Sequence, residues 1–519
     1  LSLVPATTPY IYAQLDSLPK EYIERTFLAQ ARAYQRVIDE LAKIDDKDEL
    51  YAEMELSTRL ALALVDELDG KLSRAGLAEI GIDLEARFVL YGQGIYPVLR
   101  LELGSGEKLQ AAIERMLVRM DVKVPRLSHR DTEMWHAGAE LAPSGVDAVV
   151  VVEGNQLIAA LTPIGDAQPA FLDQLLADEA PGKSLAETGT LARLAGRYGF
   201  SVGTIGFIDL ERSAELFGAV FPGAEPACAA EMVELVSPTP RWVFGTREMS
   251  AERITARVVM ETRRDVRDAL ERSRATVPSL SAGLSKRFPL AIGGGLDLQA
   301  FADFLTPTLR KLSSRRLQCS ALSWVTDMAA ELERSTVELA RSPWKQFIGG
   351  HLLVSNVDLR NPDGPKADAL AILASRDPQA LLRALAESLP GLKGKSLASG
   401  QAPIEVALPG IASSLGSVFV AVGPRAVGLA IGKGVTTLRQ QIASEPAAGM
   451  PIFVMHIDEA FMNELSGSFS PVADESDSGL AKALTDLEKS TAQSTYLEAR
   501  VVGDGVRMDV EITTPALEK

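Results

Sequence analysis

Between residues 19 and 77 the apolar side chains recur at intervals of three and four, which is the period of amphipathic α-helices. The polar run 44–49 interrupts this pattern and predicts a turn between two long helices. We therefore expect an N-terminal helical hairpin over about residues 19–77. Its second helix carries a wide apolar stripe that the rest of the fold or a partner must cover: Met54, Leu60, Leu62, Leu64 and Val65.

A different pattern follows, in which two short strands joined by a tight turn lead directly into a helix. It begins at Arg87 and again at Asp147, and it returns at Val357 and Ser417. Turns such as Glu153-Gly154-Asn155 have the composition of β-hairpin connections. The sequence therefore predicts a repeated module of β-hairpin plus helix.

Four short apolar runs each end at an aspartate that precedes an amphipathic helix pattern. An aspartate at this point accepts hydrogen bonds from the free amides of the first helical turn and lies at the positive end of the helix dipole. We therefore expect structural N-caps, rather than acids of an active site, at Asp16, Asp209, Asp297 and Asp458.

Together these elements predict an α+β fold, with mostly antiparallel sheet and helices packed on one face. The segment 277–286 is rich in small residues and precedes a new strand, so it is the expected boundary. We expect an N-terminal half, residues 1–280, that includes the helical hairpin, and a C-terminal half, residues 281–519, built from related modules. The two halves are expected to share a continuous or pseudo-symmetric sheet.

Composition and charge exclude some classes of protein. The 519 residues exceed what one hydrophobic core usually serves. With 69 acidic and 53 basic residues the net charge is -16, which argues against a nucleic-acid partner because phosphate neutralisation needs clustered Lys and Arg. No apolar run approaches the roughly 18 residues of a membrane-spanning helix, so no transmembrane segment is expected.

The chain has two cysteines, Cys228 and Cys319. Such sparse use is typical of an exported protein with a single disulfide, and a cytosolic protein with two inert buried thiols has the same count. A disulfide between Cys228 and Cys319 is the prediction, and the pair of free thiols is the alternative.

Candidate catalytic residues are few. His456 precedes Asp458 by two positions on a predicted strand, so their side chains share a face and the carboxylate can orient the imidazole. No Gly-x-Ser-x-Gly elbow supplies a nucleophile. The spacing of His129 and His136 is not that of a zinc helix, and the glycines at 293–295 lack the pattern of a nucleotide-binding loop. Beyond the candidates His456 and Asp458 we expect no catalytic residue, no metal and no cofactor.

Three segments carry a resemblance to a known family: VPATTPYIYAQLDSLP, FVLYGQGIYPVLRLEL and CAAEMVELVSPTPRWVFG. In them the chain resembles an uncharacterised family of secreted or lipid-anchored proteins of Gram-negative bacteria. The resemblance implies a periplasmic location, a signal peptide removed before Leu1, and an anchoring cysteine upstream of Leu1 if the protein is attached to the outer membrane. It implies no catalytic residues.

These observations lead to three functional hypotheses. The first is a non-catalytic binding or assembly protein of the cell envelope, whose partner is another envelope protein or an apolar ligand. The second is a carrier that holds lipid or another apolar ligand between the sheet and its helices. The third is a hydrolase that uses His456 and Asp458.

Overall fold

The computed structural model describes most of the chain in detail. The described residues are 1–42, 56–137, 146–180, 182–201, 203–220, 227–358, 366–407, 417–445, 451–469 and 493–514. They form a large antiparallel sheet with many helices, so the α+β prediction is confirmed.

Nineteen strands lie within the described residues. They are β1 Tyr10–Gln14, β2 Phe88–Gln93, β3 Tyr96–Glu102, β4 Arg126–His129, β5 Thr132–Ala137, β6 Val146–Glu153, β7 Gln156–Pro163, β8 Thr204–Asp209, β9 Arg241–Met249, β10 Arg253–Glu261, β11 Leu290–Gly294, β12 Phe347–Asp358, β13 Lys366–Ser375, β14 Ile404–Val406, β15 Val418–Val422, β16 Ala426–Ile431, β17 Phe453–Asp458, β18 Ser494–Val502 and β19 Gly505–Thr513.

Seventeen α-helices lie within the same residues, and a π-helical turn, Ile23–Phe27, separates the first two. They are α1 Lys20–Tyr22, α2 Leu28–Ala42, α3 Leu56–Leu68, α4 Arg74–Glu79, α5 Gly106–Arg119, α6 Gln168–Leu175, α7 Leu185–Thr188, α8 Thr190–Tyr198, α9 Leu210–Val220, α10 Ala227–Val236, α11 Arg264–Ser273, α12 Ala282–Ser285, α13 Leu298–Ser313, α14 Ser323–Arg341, α15 Pro378–Ser388, α16 Gly434–Ala443 and α17 Glu459–Phe469.

The strands pair without a break into one continuous sheet, and every pairing is antiparallel. The order across the sheet is β4-β5-β6-β7-β3-β2-β1-β8-β9-β10-β19-β18-β17-β11-β12-β13-β16-β15-β14. Near the middle, β10 pairs with β19 from Arg253 opposite Thr513 to Glu261 opposite Gly505. This pairing joins a strand from the middle of the chain to the last strand of the described residues.

Strands on the two sides of the β10–β19 pair follow the same connectivity. Outward on one side lie β9, β8, β1, β2, β3, β7 and β6, and outward on the other lie β18, β17, β11, β12, β13, β16 and β15. The position predicted for the boundary, residue 280, falls between β10 and β11. The division of the chain into two related halves stays a prediction.

The predicted hairpin and helix modules correspond to β2-β3-α5, β6-β7-α6, β12-β13-α15 and β15-β16-α16. Their origin as repeats of one unit stays a prediction. The N-terminal helices α2 and α3 lie where the helical hairpin was predicted, but the connecting residues 43–55 are outside the described part of the chain. The helical hairpin therefore also stays a prediction.

Helices cover both faces of the sheet, whereas the sequence predicted one face. In β13, Ile372 packs in one core with Leu438 of α16, while its neighbour Leu373 packs in another core with Leu381 of α15. Successive side chains of a strand point to opposite faces, so α15 and α16 lie on opposite sides of the sheet. The one-face prediction is wrong because β13 is apolar on both sides and each side must be buried. We name the face of Ile372 the front face and that of Leu373 the back face.

Two separate cores lie on the front face, one in each half of the sheet. The first contains Ile11 of β1 and Val243 of β9, which pack with Leu194 of α8. The second contains Val454 of β17 and Ile372 of β13. The strands between these cores have a different composition, and they carry the candidate site.

Candidate functional site

Charged side chains occupy the front face of the central strands, between the two front-face cores. Arg257 Nε lies 2.6 Å from Oδ1 of Asp509, and Arg500 Nε lies 2.6 Å from Oε1 of Glu498. Arg507 Nε lies 3.0 Å from the second carboxylate oxygen of Asp509. We name these five residues the central charged cluster. Because opposite charges are paired within it, the cluster stabilises the sheet and offers no free nucleophile or acid.

The protonation states at the edge of this cluster are fixed near neutral pH. Burial raises the pKa of the Tyr496 hydroxyl, and its 2.9 Å hydrogen bond to Glu498 raises that pKa further. Burial also acts to raise the pKa of Glu498, but the hydrogen bonds from Arg500 and Tyr496 outweigh it and leave that pKa below its usual value. General acid–base catalysis needs a pKa near the working pH, and neither group has one.

The charged cluster determines which side of the central strands is apolar. Alternate residues of a strand face opposite ways, so Val258 faces back where Arg257 faces front, and Val510 faces back where Asp509 faces front. The same alternation places Leu497 on the back face beside Glu498. The central strands are thus charged in front and apolar behind.

Two continuous rows of apolar or glycine residues cross the back face, each connected by strand register. One row is Leu99, Leu90, Tyr12, Gly206, Phe244, Val258, Met508, Ala499 and Phe453. The other is Ala256, Val510, Leu497, Met455, Ile292 and Leu352. We name these two rows the apolar strip. From β2 to β12 the strip extends about 40 Å, because neighbouring strands are ~4.8 Å apart.

Parts of the apolar strip are open to solvent. The side chains of Ile292 and Leu352 are 40% and 38% exposed, and they are direct cross-strand partners on β11 and β12. Leu90 is 36% exposed on β2, opposite Tyr12 of β1. A solvated face of an antiparallel sheet normally carries polar residues. A contiguous exposed apolar surface of this kind is typical of a binding site.

Three of the four predicted aspartate caps lie at helix N-termini. Asp209 accepts a hydrogen bond from the Arg212 amide at 3.0 Å, and Asp297 accepts one from the Ala300 amide at 3.0 Å. Asp458 accepts one from the Phe461 amide at 3.3 Å.

Asp16 differs from the other three aspartates. The first helix begins at Lys20, its N-cap is Pro19, and no side chain caps it. The carboxylate of Asp16 instead lies against Gly203, where a Cβ atom would be 2.5 Å from Oδ2. Residues 17–19 lie between Asp16 and the first residue of the helix, Lys20. Asp16 is therefore not the N-cap of this helix, in contrast to the prediction.

Asp209 and Asp297 have a second partner each. Arg241, which lies opposite Asp209 in the register of β8 and β9, donates to it at 2.9 Å. Arg376, which follows β13, donates to the Oδ2 of Asp297. Each carboxylate therefore binds both the first turn of a helix and an arginine side chain. We assign structural roles to both residues.

The candidates His456 and Asp458 have different partners. His456 is 8% exposed, and its Nδ1 lies 2.6 Å from the carbonyl oxygen of Phe288. The Asp458 carboxylate caps α17 as described above. The two side chains share a strand face, but the imidazole is oriented by a backbone carbonyl. The hydrolase hypothesis gains no geometric support from this arrangement and stays untested.

The remaining histidines are held by neighbouring polar groups. His129 lies 2.8 Å from Asp173, and His136 lies against Asp147. His351 is buried at 2% exposure, with its Nε2 3.3 Å from the hydroxyl of Ser285. Burial lowers the pKa of His351 to about 4. Within the described ranges, no group of three or more His, Cys, Asp or Glu side chains has the arrangement of a metal site.

Cys228 and Cys319 form a disulfide, as the sequence predicted. The bridge links α10 to the segment before α14, and the buried carboxylate of Glu231 accepts hydrogen bonds from the amides of Gln318 and Cys319, both at 3.0 Å. Burial acts to raise the pKa of Glu231, but these two amide donors and Arg315 leave it below the usual value. The disulfide and the Glu231 carboxylate together attach α10 to the segment that precedes α14.

The sequence patterns did not identify the apolar strip. Its signal is present in GVRMDVEIT of β19, where polar and apolar residues alternate, and in RITARVVME of β10, where Val259 interrupts the same alternation. Such alternation is usually taken to place the apolar side against the core. Here the neighbouring strands determine which side is covered, and that information is not local.

No family model, curated protein or solved structure matches the chain. Among the helices within the described residues, none combines the length and the apolar character needed to cross a membrane.

Proposed function

We propose that the protein is a non-catalytic binding protein of the cell envelope that carries an extended apolar ligand, such as lipid acyl chains, against the apolar strip. The observation that carries this proposal is the exposure of Ile292 and Leu352 at the end of a continuous apolar row. Of the three hypotheses from the sequence, it favours the carrier.

The energetics suit an elongated apolar ligand. Burial of hydrocarbon is worth about 0.8 kcal/mol for each methylene removed from water, and it needs no directional contacts. A surface about 40 Å long and made of Leu, Ile, Val, Met and Phe side chains offers contact to a whole acyl chain. A compact polar substrate would find few hydrogen-bond partners there.

The two halves of the chain contribute equivalent parts of this surface. Tyr12 and Leu90 are partners on β1 and β2, and Ile292 and Leu352 are partners on the topologically equivalent β11 and β12. We infer that the halves, 1–280 and 281–519, arose from repetition of one unit of hairpin and helix modules. A repeated unit placed side by side in one sheet doubles the length of its apolar surface.

Two observations support an envelope location. The disulfide between Cys228 and Cys319 suits an oxidising compartment such as the periplasm, because cytosolic reductants keep thiols reduced. The resemblance of three segments to secreted or lipid-anchored proteins of Gram-negative bacteria implies the same compartment. Attachment to the outer membrane through an upstream lipidated cysteine is part of this proposal.

The ligand proposal is tested with N-phenyl-1-naphthylamine, an uncharged apolar fluorophore, and with mass spectrometry of organic extracts from protein purified from a bacterial periplasm. We expect the unmodified protein to bind the fluorophore saturably and to retain lipid. The double variant I292Q/L352Q is expected to bind at least tenfold more weakly, since each buried aliphatic side chain contributes roughly 1.5–3 kcal/mol.

The matched control is V118Q/I164Q, which makes the same chemical change at two side chains that are 79% and 56% exposed but lie outside the apolar strip. It is expected to bind like the unmodified protein. Equal weakening by both double variants, or no lipid in the extract and no fluorophore binding, would contradict a carrier function.

A second candidate function, docking of an envelope protein during assembly, is favoured by α14. Its side chains Trp324, Met328 and Leu332 are 58%, 46% and 46% exposed and follow one another at intervals of four, so they form one exposed apolar face. The adjoining face of the helix is buried through Val325 and Ala329.

Photo-crosslinking from position 328 in intact cells tests this docking hypothesis. We expect one discrete adduct, which disappears when the neighbouring residues are changed in W324S/L332S. An adduct pattern that is unaffected by W324S/L332S would argue against a docking face on α14 and would leave the lipid experiment unaffected.

A further inference from the structure

We propose a second binding site, for an anionic amphiphile, in a groove beside α15. An anionic amphiphile here means an acidic head group, phosphate or carboxylate, on a short apolar body. The site does not involve the apolar strip, and it goes beyond the carrier function proposed above.

The groove has the size of a small-molecule site. It encloses about 790 Å³, whereas ligand sites usually enclose roughly 300–1,000 Å³. One wall is the face of α15 that carries Leu382, Arg383 and Ala386, and the other is the segment 392–396. The groove is therefore formed by a helix and by the segment that follows it in the chain.

The floor of the groove is apolar. Leu382 and Leu392 are only 5% and 2% exposed, and both belong to the back-face core that α15 forms with β15 and β16. Side chains fixed in a close-packed core do not have to reorganise when a ligand covers them. An apolar ligand body can therefore pack on this floor without disrupting it.

The rim of the groove is basic, in contrast to the chain as a whole. Arg383, Lys393 and Lys395 line it, and Glu387 is the one acidic residue among the lining residues. The local charge is thus positive, although the whole chain carries a net charge of -16. Acidic head groups are attracted to such a site, and neutral amphiphiles gain nothing from its charge.

Two of these cations are available to a ligand. Within the described part of the chain, Arg383 and Lys393 have no carboxylate partner. Lys395 is held in place, because its Nζ donates to the carbonyl oxygen of Glu405 at 3.0 Å. A guanidinium next to an ammonium suits a phosphate or carboxylate, which accepts several charge-assisted hydrogen bonds at once.

The two walls are connected before any ligand binds. The side-chain amide of Gln379 on α15 donates to the carbonyl oxygen of Leu397 at 2.8 Å. A preformed site loses less conformational entropy on binding than one that must be ordered by its ligand. The groove thus combines an apolar floor, two cations without a carboxylate partner among the described residues, and walls joined by a hydrogen bond.

Isothermal titration calorimetry with octyl phosphate and octanoate tests the proposal. The titrations are made in the I292Q/L352Q background, so that alkyl chains bound on the apolar strip do not contribute. We expect saturable binding of at least one of the two anions, which also identifies the preferred head group. Octyl glucoside and inorganic phosphate, which each lack one half of the ligand, are expected to bind at least tenfold more weakly.

Adding R383Q/K393Q to that background is expected to weaken binding of the anion at least tenfold. The matched control K311Q/R316Q removes two exposed cations on and after α13 and is expected to change nothing. Circular dichroism melts establish that all variants are folded. Equal binding of octyl glucoside, unchanged affinity in R383Q/K393Q, or no binding of either anion would each overturn this site, whatever the outcome for the strip.

Discussion

Arg257 and Asp509 are 252 residues apart in the chain, and their side chains meet at 2.6 Å between Nε and Oδ1 on the front face of the central strand pair. They are 12% and 24% exposed, so solvent screens them only in part. Their pairing connects the end of the N-terminal half of the sheet to the last strand of the chain. The ion pair therefore reports on whether β10 and β19 are paired.

Removing Asp509 alone is expected to cost more stability than removing Arg257 and Asp509 together. R257M leaves Asp509 with Arg507 alone, and D509L leaves Arg257 unpaired at a largely buried position. D509L is expected to lower the free energy of unfolding by about 3 kcal/mol, because an uncompensated buried charge remains. R257M is expected to cost less, because Arg507 still pairs with Asp509. The double variant is expected to lose clearly less than the sum of the two.

Urea denaturation of the four proteins in a double-mutant cycle measures this coupling. A surface pair, Arg253 and Glu248, is the control, since its side chains are 47% and 53% exposed and its coupling is expected to stay below about 1 kcal/mol. Additive losses at Arg257 and Asp509 would show that the central pair does not couple the strands.

The disulfide is expected to make a large contribution to stability. It closes a loop with a sequence separation of 91, and the chain-entropy model assigns about 4–5 kcal/mol to a loop of that size. The variant C228A/C319A should therefore unfold at a lower urea concentration than the oxidised protein. Dithiothreitol should shift the unmodified protein towards the variant and leave the variant unchanged. A midpoint for C228A/C319A equal to that of the oxidised protein would refute this expectation.

Stability is expected to fall with acidity through His351. Its pKa is about 4 in the folded protein, against an ordinary value of about 6.5 in the unfolded chain. As the pH falls from about 6.5 to about 4, His351 becomes protonated in the unfolded state but stays neutral in the folded state. The free energy of unfolding therefore decreases over that pH range. The loss amounts to roughly 3 kcal/mol at the acidic end.

Urea midpoints measured between pH 7.5 and pH 4 check this dependence. H351L removes the titrating group and should flatten the curve, while His129, which is 21% exposed and paired with Asp173, supplies the control H129N. H129N should keep the slope of the unmodified protein. If H351L and the unmodified protein have the same slope, His351 does not account for the acid sensitivity.

The aspartates at the strand ends are expected to differ in their importance. D209A and D297A each remove a helix cap and an arginine partner, so each should lower the free energy of unfolding by about 1–2 kcal/mol. D16A removes no cap, because α1 begins after Pro19, and should cost less than about 0.5 kcal/mol. Thermal melts rank the three variants, and an effect of D16A equal to that of D297A would contradict the structural assignment.

Local signals in the sequence predicted local structure well. The caps at Asp209, Asp297 and Asp458 depend on a few neighbouring residues, and the structure has a helix after each. The disulfide needed only a count of cysteines and an expected compartment. The placement of helices on both faces was missed, although β13 is apolar on both sides and each side must be buried.

The candidate site was missed as well. The alternation in β10 shows that one side is charged and the other apolar, but which side is covered depends on what packs there. Arg257 finds its counter-ion on β19, 252 residues later, and only that pairing leaves Val258 on the open side. Long-range pairing of this kind leaves no trace in local periodicity.

The order of strands also has a consequence for solubility. Within the described residues the sheet ends at β4 and β14, which are four and three residues long. A free edge recruits another chain through its unpaired amides and carbonyls, and a short edge offers few of them. The short strands at both ends thereby limit edge-to-edge polymerisation of a wide sheet with an apolar back face.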